Sequence, residues 1–231
     1  MKIAIMQPYL FPYIGYFQLI NSVDKFIILD DVNYINKGWI NRNRILINGK
    51  EHLFSIPIKN VSQNKLICDC ELSDDLWQKK FLKTIELSYK KAPFINDVLP
   101  LISNIVASEE KNLSAFILNH LKKIFEFINA EVCIIPSSAV YQTSGLKAQE
   151  KIIAICKEEH ATDYVNPIGG VELYDKNRFL EEKMNLHFLK SANINYNQNS
   201  EFFVPWLSII DVIMFNPKEK IREMLGNYEL L

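Results

Sequence analysis

Apolar residues along this chain fall into short runs divided by loops rich in proline, glycine and asparagine, and the runs switch between the strand and helix periods. Lys2 to Met6 reads as a strand, QPYLFPYIGY as a tight connection shaped by Pro8, Pro12 and Gly15, and the periodic segment that follows as a helix. Phe26 to Leu29 forms a second strand ending on Asp30 and Asp31. In RILINGKEHLFSIPI, Asn48-Gly49 sits between two alternating runs, a hairpin signal because that pair tolerates the positive φ of a type I′ turn. ICDCEL is compatible with a further strand. Ser73 is placed to cap a helix over 74–92, with Leu76, Phe81, Leu82, Ile85 and Leu87 at helical spacing. Helices are expected over 94–107 and 112–128, the second burying Phe116, Ile117, His120, Leu121, Ile124 and Phe125, with His120 read as a core histidine rather than a ligand.

From Val132 the segments alternate again: VCIIP as strand, LKAQEKIIAICKEEH as helix, DYVNP as strand, NRFLEEKM as helix and LHFLK as strand. Near the C-terminus Pro205 stands close to the start of a helix that Asn216-Pro217 separates from the last one. Short strands alternating with helices predict a Rossmann-like α/β fold with a mostly parallel sheet flanked by helices. The expectation is one domain over 1–231, with 43–128 as a hairpin and helical insertion.

Composition narrows the function classes. The 231 residues are 48% hydrophobic and 23% charged, values of an ordinary globular chain rather than a disordered one. A formal net charge of -1 gives no global field to favour nucleic acid, so no nucleic-acid partner is expected. The apolar runs fall short of the roughly 18 residues a membrane span needs, and the N-terminus lacks a signal-peptide pattern, so a cytoplasmic protein without membrane insertion is expected. Four cysteines without C-x-x-C pairing or nearby histidine read as buried or half-buried thiols, and no metal site is expected.

In an α/β fold ligands gather where strands end. The loop after the first strand holds Gln7, Tyr9, Tyr13, Tyr16 and Gln18, and backbone N–H groups near Gly15 suit an anion. After the second strand, Asp30 and Asp31 are candidate general bases, Lys37, Arg42 and Arg44 candidate phosphate ligands, Trp39 a stacking platform and Asn41 a polar contact. Asn166, Gly169 and Gly170 follow a later strand, where glycine permits close backbone approach to a ligand. Asp211 lies on an apolar helix three residues after Ser208 and must pair, cap or act; an ion pair within the fold is the expected reading. Phe202, Phe203 and Trp206 read as core.

QPYLFPYIGYFQLINSVDKFIILDDVNYINKGWINRNRI, LSYKKAPFI, KIIAICKEEHATDYVNPIGGVELYD and FVPWLSIIDVIMFN together resemble the WbqC-like protein family. The resemblance covers nearly the whole chain. It implies an enzyme of bacterial O-antigen or other surface-polysaccharide gene clusters, an acyl or aminoacyl (glycine) transferase acting on a nucleotide-activated amino sugar with a small acyl donor. Activation is left open between ATP with Mg²⁺ and a donor already activated. Tyr13-Ile14-Gly15-Tyr16 also stands where nucleotidylyltransferases and pantothenate-synthetase-like ligases carry H-x-G-H. Tyrosine in both histidine places removes groups that become cationic near neutral pH. Nucleotidyl transfer or ATP-dependent ligation is therefore one alternative, and a non-catalytic nucleotide-sugar binding protein another.

Overall fold

In the computed structural model, which describes residues 1–74 and 76–231, successive strand side chains divide between two apolar layers. Ala4, Phe26, Ile28, Val165 and Leu189 face one cluster, while Ile3, Ile5, Ile27, Tyr164, Leu186 and Phe188 face the other. That division is what a sheet covered on both sides requires, because the strand period is two.

The strands are β1 (Lys2–Met6), β2 (Lys25–Ile28), β3 (Arg42–Ile47), β4 (Lys50–Ser55), β5 (Ile134–Ile135), β6 (Asp163–Pro167), β7 (Asn185–Ser191) and β8 (Tyr228–Leu230). Six of them form one sheet in the order β5-β2-β1-β6-β7-β8, parallel except for β8 against β7. Helices α1 (Ile14–Asn21), α2 (Trp77–Tyr89), α3 (Ile95–Val106), α4 (Leu113–Phe127), α7 (Ile209–Phe215) and α8 (Lys218–Leu225) contribute to the first layer. Helices α5 (Ala148–Glu158) and α6 (Lys176–Glu181) contribute to the second. The mixed α/β architecture with a mostly parallel sheet is the one expected from sequence.

The chain starts at the centre, moves outward through β2 to β5, then returns to build β6, β7 and β8 on the other side of β1. Strand order therefore reverses between β1 and β6, the place where sheets of this kind bind ligands beyond the carboxyl ends. Between β2 and β5 lie the separate β3-β4 hairpin and helices α2 to α4. Asn48 and Gly49 turn that hairpin with φ values of 49° and 74°, as the type I′ turn demands.

Four expectations change. ICDCEL is not a strand: Ile67–Asp69 is one 3-10 turn, and isolated bridges at Glu71 and Leu72 tie the segment to its neighbours. Helix α2 begins at Trp77 with Leu76 in the capping position instead of Ser73, and Asp75 lies outside the described residues. Its buried stripe is Trp77, Phe81, Ile85 and Tyr89, a strict four-residue spacing, while Leu76 and Leu87 are exposed. Helix α7 starts beyond Pro205, capped by Ser208, whose hydroxyl accepts from Ile210 N at 3.2 Å. The C-terminal strand β8 was not expected; its three residues are too few to show a period.

Asp163, at the start of β6, accepts from the Thr162 hydroxyl at 2.7 Å and Asn185 Nδ2 at 3.2 Å, and lies 2.8 Å from His187 Nε2. The Thr162 hydroxyl first, then His187, hold its carboxyl below the ordinary 3.8, at about 2. A depressed carboxylate adds stability above its unfolded value and loses it as pH falls through the folded one. Asp163→Asn should therefore flatten the loss of thermal stability that the wild type shows from pH 3.8 down to about 2, a difference read from melting curves across that range.

Candidate functional site

The loop between β1 and α1 is fixed from three directions. Phe11, a non-glycine residue at φ 41°, donates its N–H to His120 Nε2 at 3.0 Å. Its carbonyl accepts from Asn43 Nδ2 at 2.6 Å and from the Ser208 hydroxyl at 2.8 Å. Such a conformation persists only where its surroundings over-determine it. Burial pushes the His120 imidazole down to about 3, so it stays a neutral acceptor behind the loop. The expected core role of His120 thus has a specific content: it shapes the loop.

The outer side of this loop carries an aromatic and cationic group. Tyr9 stacks on Trp39, centroids 6.0 Å apart, and meets Tyr13 at 6.2 Å; Tyr13 in turn meets Trp206 edge-on at 5.6 Å. The Arg42 and Arg44 guanidinium carbons lie 5.4 and 5.2 Å from the Trp39 ring centroid. Arg42 uses Nε on the Gly38 carbonyl at 2.8 Å, and Arg44 uses one terminal nitrogen on Glu51 at 2.6 Å. Two guanidiniums against one indole, with a single paired carboxylate among the described residues, leave an excess positive charge, the condition for holding an anion. Lys37 is exposed with φ 59° and stands apart from this group's ring and ion-pair contacts.

Beside Tyr13 opens a pocket of about 350 Å³, walled by Tyr13, the 191–196 segment that leaves β7, Phe203, Pro205 and Trp206. The core reading of Phe202 and Trp206 is corrected: they are 74% and 54% exposed, and Trp206 has φ 60°. The pocket wall depends on Asp211. This buried carboxylate accepts from the Tyr196 hydroxyl at 2.7 Å, Tyr89 at 2.9 Å and Gln198 Nε2 at 2.9 Å. Its expected ion pair is replaced by neutral donors, and burial raises its carboxyl above the ordinary value. Gln198 also accepts from Val204 N at 2.8 Å and donates to the Val204 carbonyl at 2.9 Å, folding the segment back on itself.

A second group forms at the ends of β2 and β5. Asp30 is buried and accepts from the Ser114 and Ser137 hydroxyls, each at 2.6 Å, and from Ser138 N at 3.2 Å. Burial raises its carboxyl while these three donors pull the other way. Asp31 accepts from the Ser138 hydroxyl and pairs with Lys151 of α5, whose side chain is only 8% exposed. Asp30 is a committed structural acceptor, and Asp31 is the more accessible of the two. Lys151 and the serines escaped the sequence reading; a lysine beside Ile152 and Ile153 on a helix's buried side was the available signal.

Other candidates take definite places. Tyr16 is buried with its hydroxyl on the Gln7 carbonyl at 2.9 Å, and Gln18 donates to the Met224 and Asn227 carbonyls at 2.7 and 2.9 Å. Both are buried and tie the fold together, which leaves them no exposed face for the ligand contacts read from sequence. Asn41 likewise links the Tyr34 hydroxyl, at 2.7 Å, to the Ile56 carbonyl, at 2.8 Å. Gln7 itself is half-buried at the end of β1. Asn166 is buried beside the Tyr164 hydroxyl at 3.1 Å, and a Cβ at Gly170 would collide with its amide, so that glycine admits Asn166. Gly169 faces open space. Among the described residues no group of three or more histidine, cysteine or acidic side chains is placed to hold a metal. No helix among them is long and apolar enough to cross a membrane.

Gly15 is required by the Tyr13 ring, which a Cβ there would strike. Since alanine favours a helix over glycine by about 1 kcal/mol, Gly15→Ala should leave the melting temperature nearly unchanged. It should displace the ring from Trp206 and alter tryptophan emission, read by fluorescence.

The uncharacterized protein Rv1507c of Mycobacterium tuberculosis (strain ATCC 25618 / H37Rv) is 27% identical over 218 residues, 93% of each chain. No solved structure matches. The model of the WbqC-like protein family matches residues 7–223, which take in both side-chain groups and the pocket, and the chain belongs to that family.

Proposed function

We propose that the protein transfers an acyl or aminoacyl group, glycyl for example, to the amine of a nucleotide-linked amino sugar in bacterial surface-polysaccharide (O-antigen) assembly. The observation that supports this best is the pairing, at the carboxyl edge of a parallel sheet, of two arginines on Trp39 with an adjoining aromatic pocket. Arginines suit a diphosphate, and aromatic faces suit a base or sugar ring.

The sugar amine reaches the site as an ammonium. Asp31 takes one proton, which frees the nitrogen lone pair to attack the acyl carbonyl carbon. The new C–N bond forms, the bond from carbon to the activating group breaks, and that group leaves with its electron pair and takes up the second proton, which the nitrogen sheds as the amide becomes neutral. Asp30 accepts from Ser138 N and so holds in place the hydroxyl that donates to Asp31. Gly169, which faces open space, offers a backbone N–H for the developing oxyanion.

Nucleotidyl transfer is the second reading, because Tyr13-Ile14-Gly15-Tyr16 opens α1, the first helix after β1. Burial raises the Tyr13 and Tyr16 hydroxyls above the ordinary tyrosine value, so both stay neutral and supply no charge to a transferred phosphate. A thermal-shift panel separates the readings. A ligand at 100 times its Kd adds about 2.7 kcal/mol of stability. Stabilisation by a nucleotide amino sugar supports acyl transfer; stabilisation by ATP with Mg²⁺ alone supports nucleotidyl transfer.

A further inference from the structure

We infer that the Tyr13–Trp206 pocket receives the base and ribose of a nucleoside diphosphate whose phosphates lie on Arg42 and Arg44. The inference rests on the transferase reading for the presence of a nucleotide, and adds where and how that nucleotide is held.

The first support is continuity. Trp206, Tyr13, Tyr9 and Trp39 form an unbroken run of ring contacts at 5.6, 6.2 and 6.0 Å, leading from the pocket to the indole that both guanidiniums approach. A ligand with a flat ring at one end and an anion at the other suits that order of groups. The second is the chemistry of the pocket wall. Phe203 and Trp206 give it apolar faces, while the exposed Asn193 and Asn195 amides have no protein partner among the described residues. Each such amide offers donors and an acceptor side by side, the complement of a base edge. The third is charge. Among the described residues Arg44 pairs with Glu51 and Arg42 with no carboxylate, and the buried Arg44 Nε has no hydrogen-bond partner. Finally, Trp206 is held outward at a positive φ that a tryptophan rarely adopts, with its ring presented and not packed away.

A nucleotide sugar bound this way has its base in the pocket and its diphosphate at Trp39, so the sugar extends beyond the arginines, away from Tyr13. The pocket would then choose the base and take no part in the transfer.

The test is binding of the uridine, thymidine, guanosine, cytidine and adenosine diphosphates, and of pyrophosphate alone, to the wild type, Trp206→Ala, Trp206→Phe and Arg44→Gln. Expected is a preference for one nucleoside diphosphate over pyrophosphate. Trp206→Ala should weaken that nucleotide about tenfold, in line with the loss of one base stack, and leave pyrophosphate unchanged. Trp206→Phe should keep most of the affinity, and Arg44→Gln should weaken both ligands. A preferred nucleotide bound equally well by Trp206→Ala, yet weakened by Arg44→Gln, overturns the pocket assignment and leaves the transferase reading standing. Binding of pyrophosphate with no gain from any nucleoside also overturns it. No binding of any of these ligands to the wild type overturns the pocket and the nucleotide part of that reading together.

Discussion

Asp31→Asn is expected to lower amide formation by about 10² to 10⁴-fold, the range a positioned general base supplies, while the nucleotide sugar binds with little change. The asymmetry follows from the layout. The group that would hold the nucleotide takes Tyr9 and Tyr13 from the β1 loop, Arg42 and Arg44 from β3 and Trp39 from the far end of the β2–β3 connection, whereas Asp31, just after β2, takes its partners from Ser138 and α5. A base removed from the second group slows the step and leaves the grip of the first. Kinetics read as kcat falling with the binding constant preserved would bear this out; a parent-like kcat would remove Asp31 from the reaction.

Lys151→Met should lower folding stability by about 3–5 kcal/mol, because it leaves a largely buried carboxylate without its counter-charge. Asp31→Asn alone strands the lysine in the same way, so activity measured on either single variant mixes chemistry with folding. The double variant Asp31→Asn/Lys151→Met resolves them. Neutralising both partners of a buried pair is far milder than breaking it, so the double variant should melt close to the parent and still be inactive. Denaturant unfolding of the four proteins supplies the check. Additive losses in the double variant would show that the two groups do not act as a pair.

These two groups differ in how far the sequence exposed them. The β1 loop was legible because Pro8, Pro12 and Gly15 interrupt an apolar run and leave polar aromatics at a strand end, and Asn48-Gly49 announces its hairpin through backbone sterics alone. Asp30 and Asp31 were legible as a strand-end pair. Their division of labour was not, since it depends on Ser114, Ser137, Ser138 and Lys151, which are brought in from elements 80 or more residues away. Tyr16 and Gln18 looked like ligand contacts because polar atoms on a short helix can be counted but their burial cannot. Trp206 looked like core for the converse reason. An aromatic next to a proline and an apolar helix has the composition of a packed segment, and only the fold of the stretch after β7, pinned by Gln198 and Tyr196 to Asp211, turns it outward. Asp211 itself was expected to need a cation; three neutral donors converging on it satisfy the same requirement.

The most direct measurement is the mass of the product formed by the wild-type protein. Nucleotide amino sugars would be incubated with glycine, ATP and Mg²⁺, and separately with glycyl and acetyl thioesters of coenzyme A. The account predicts a nucleotide sugar heavier by one acyl or glycyl group, its nucleotide intact, formed by the wild type and not by the Asp31→Asn/Lys151→Met protein. Nucleotidylated product with pyrophosphate release, or nucleotide-sugar binding with no mass change under any donor, would contradict it.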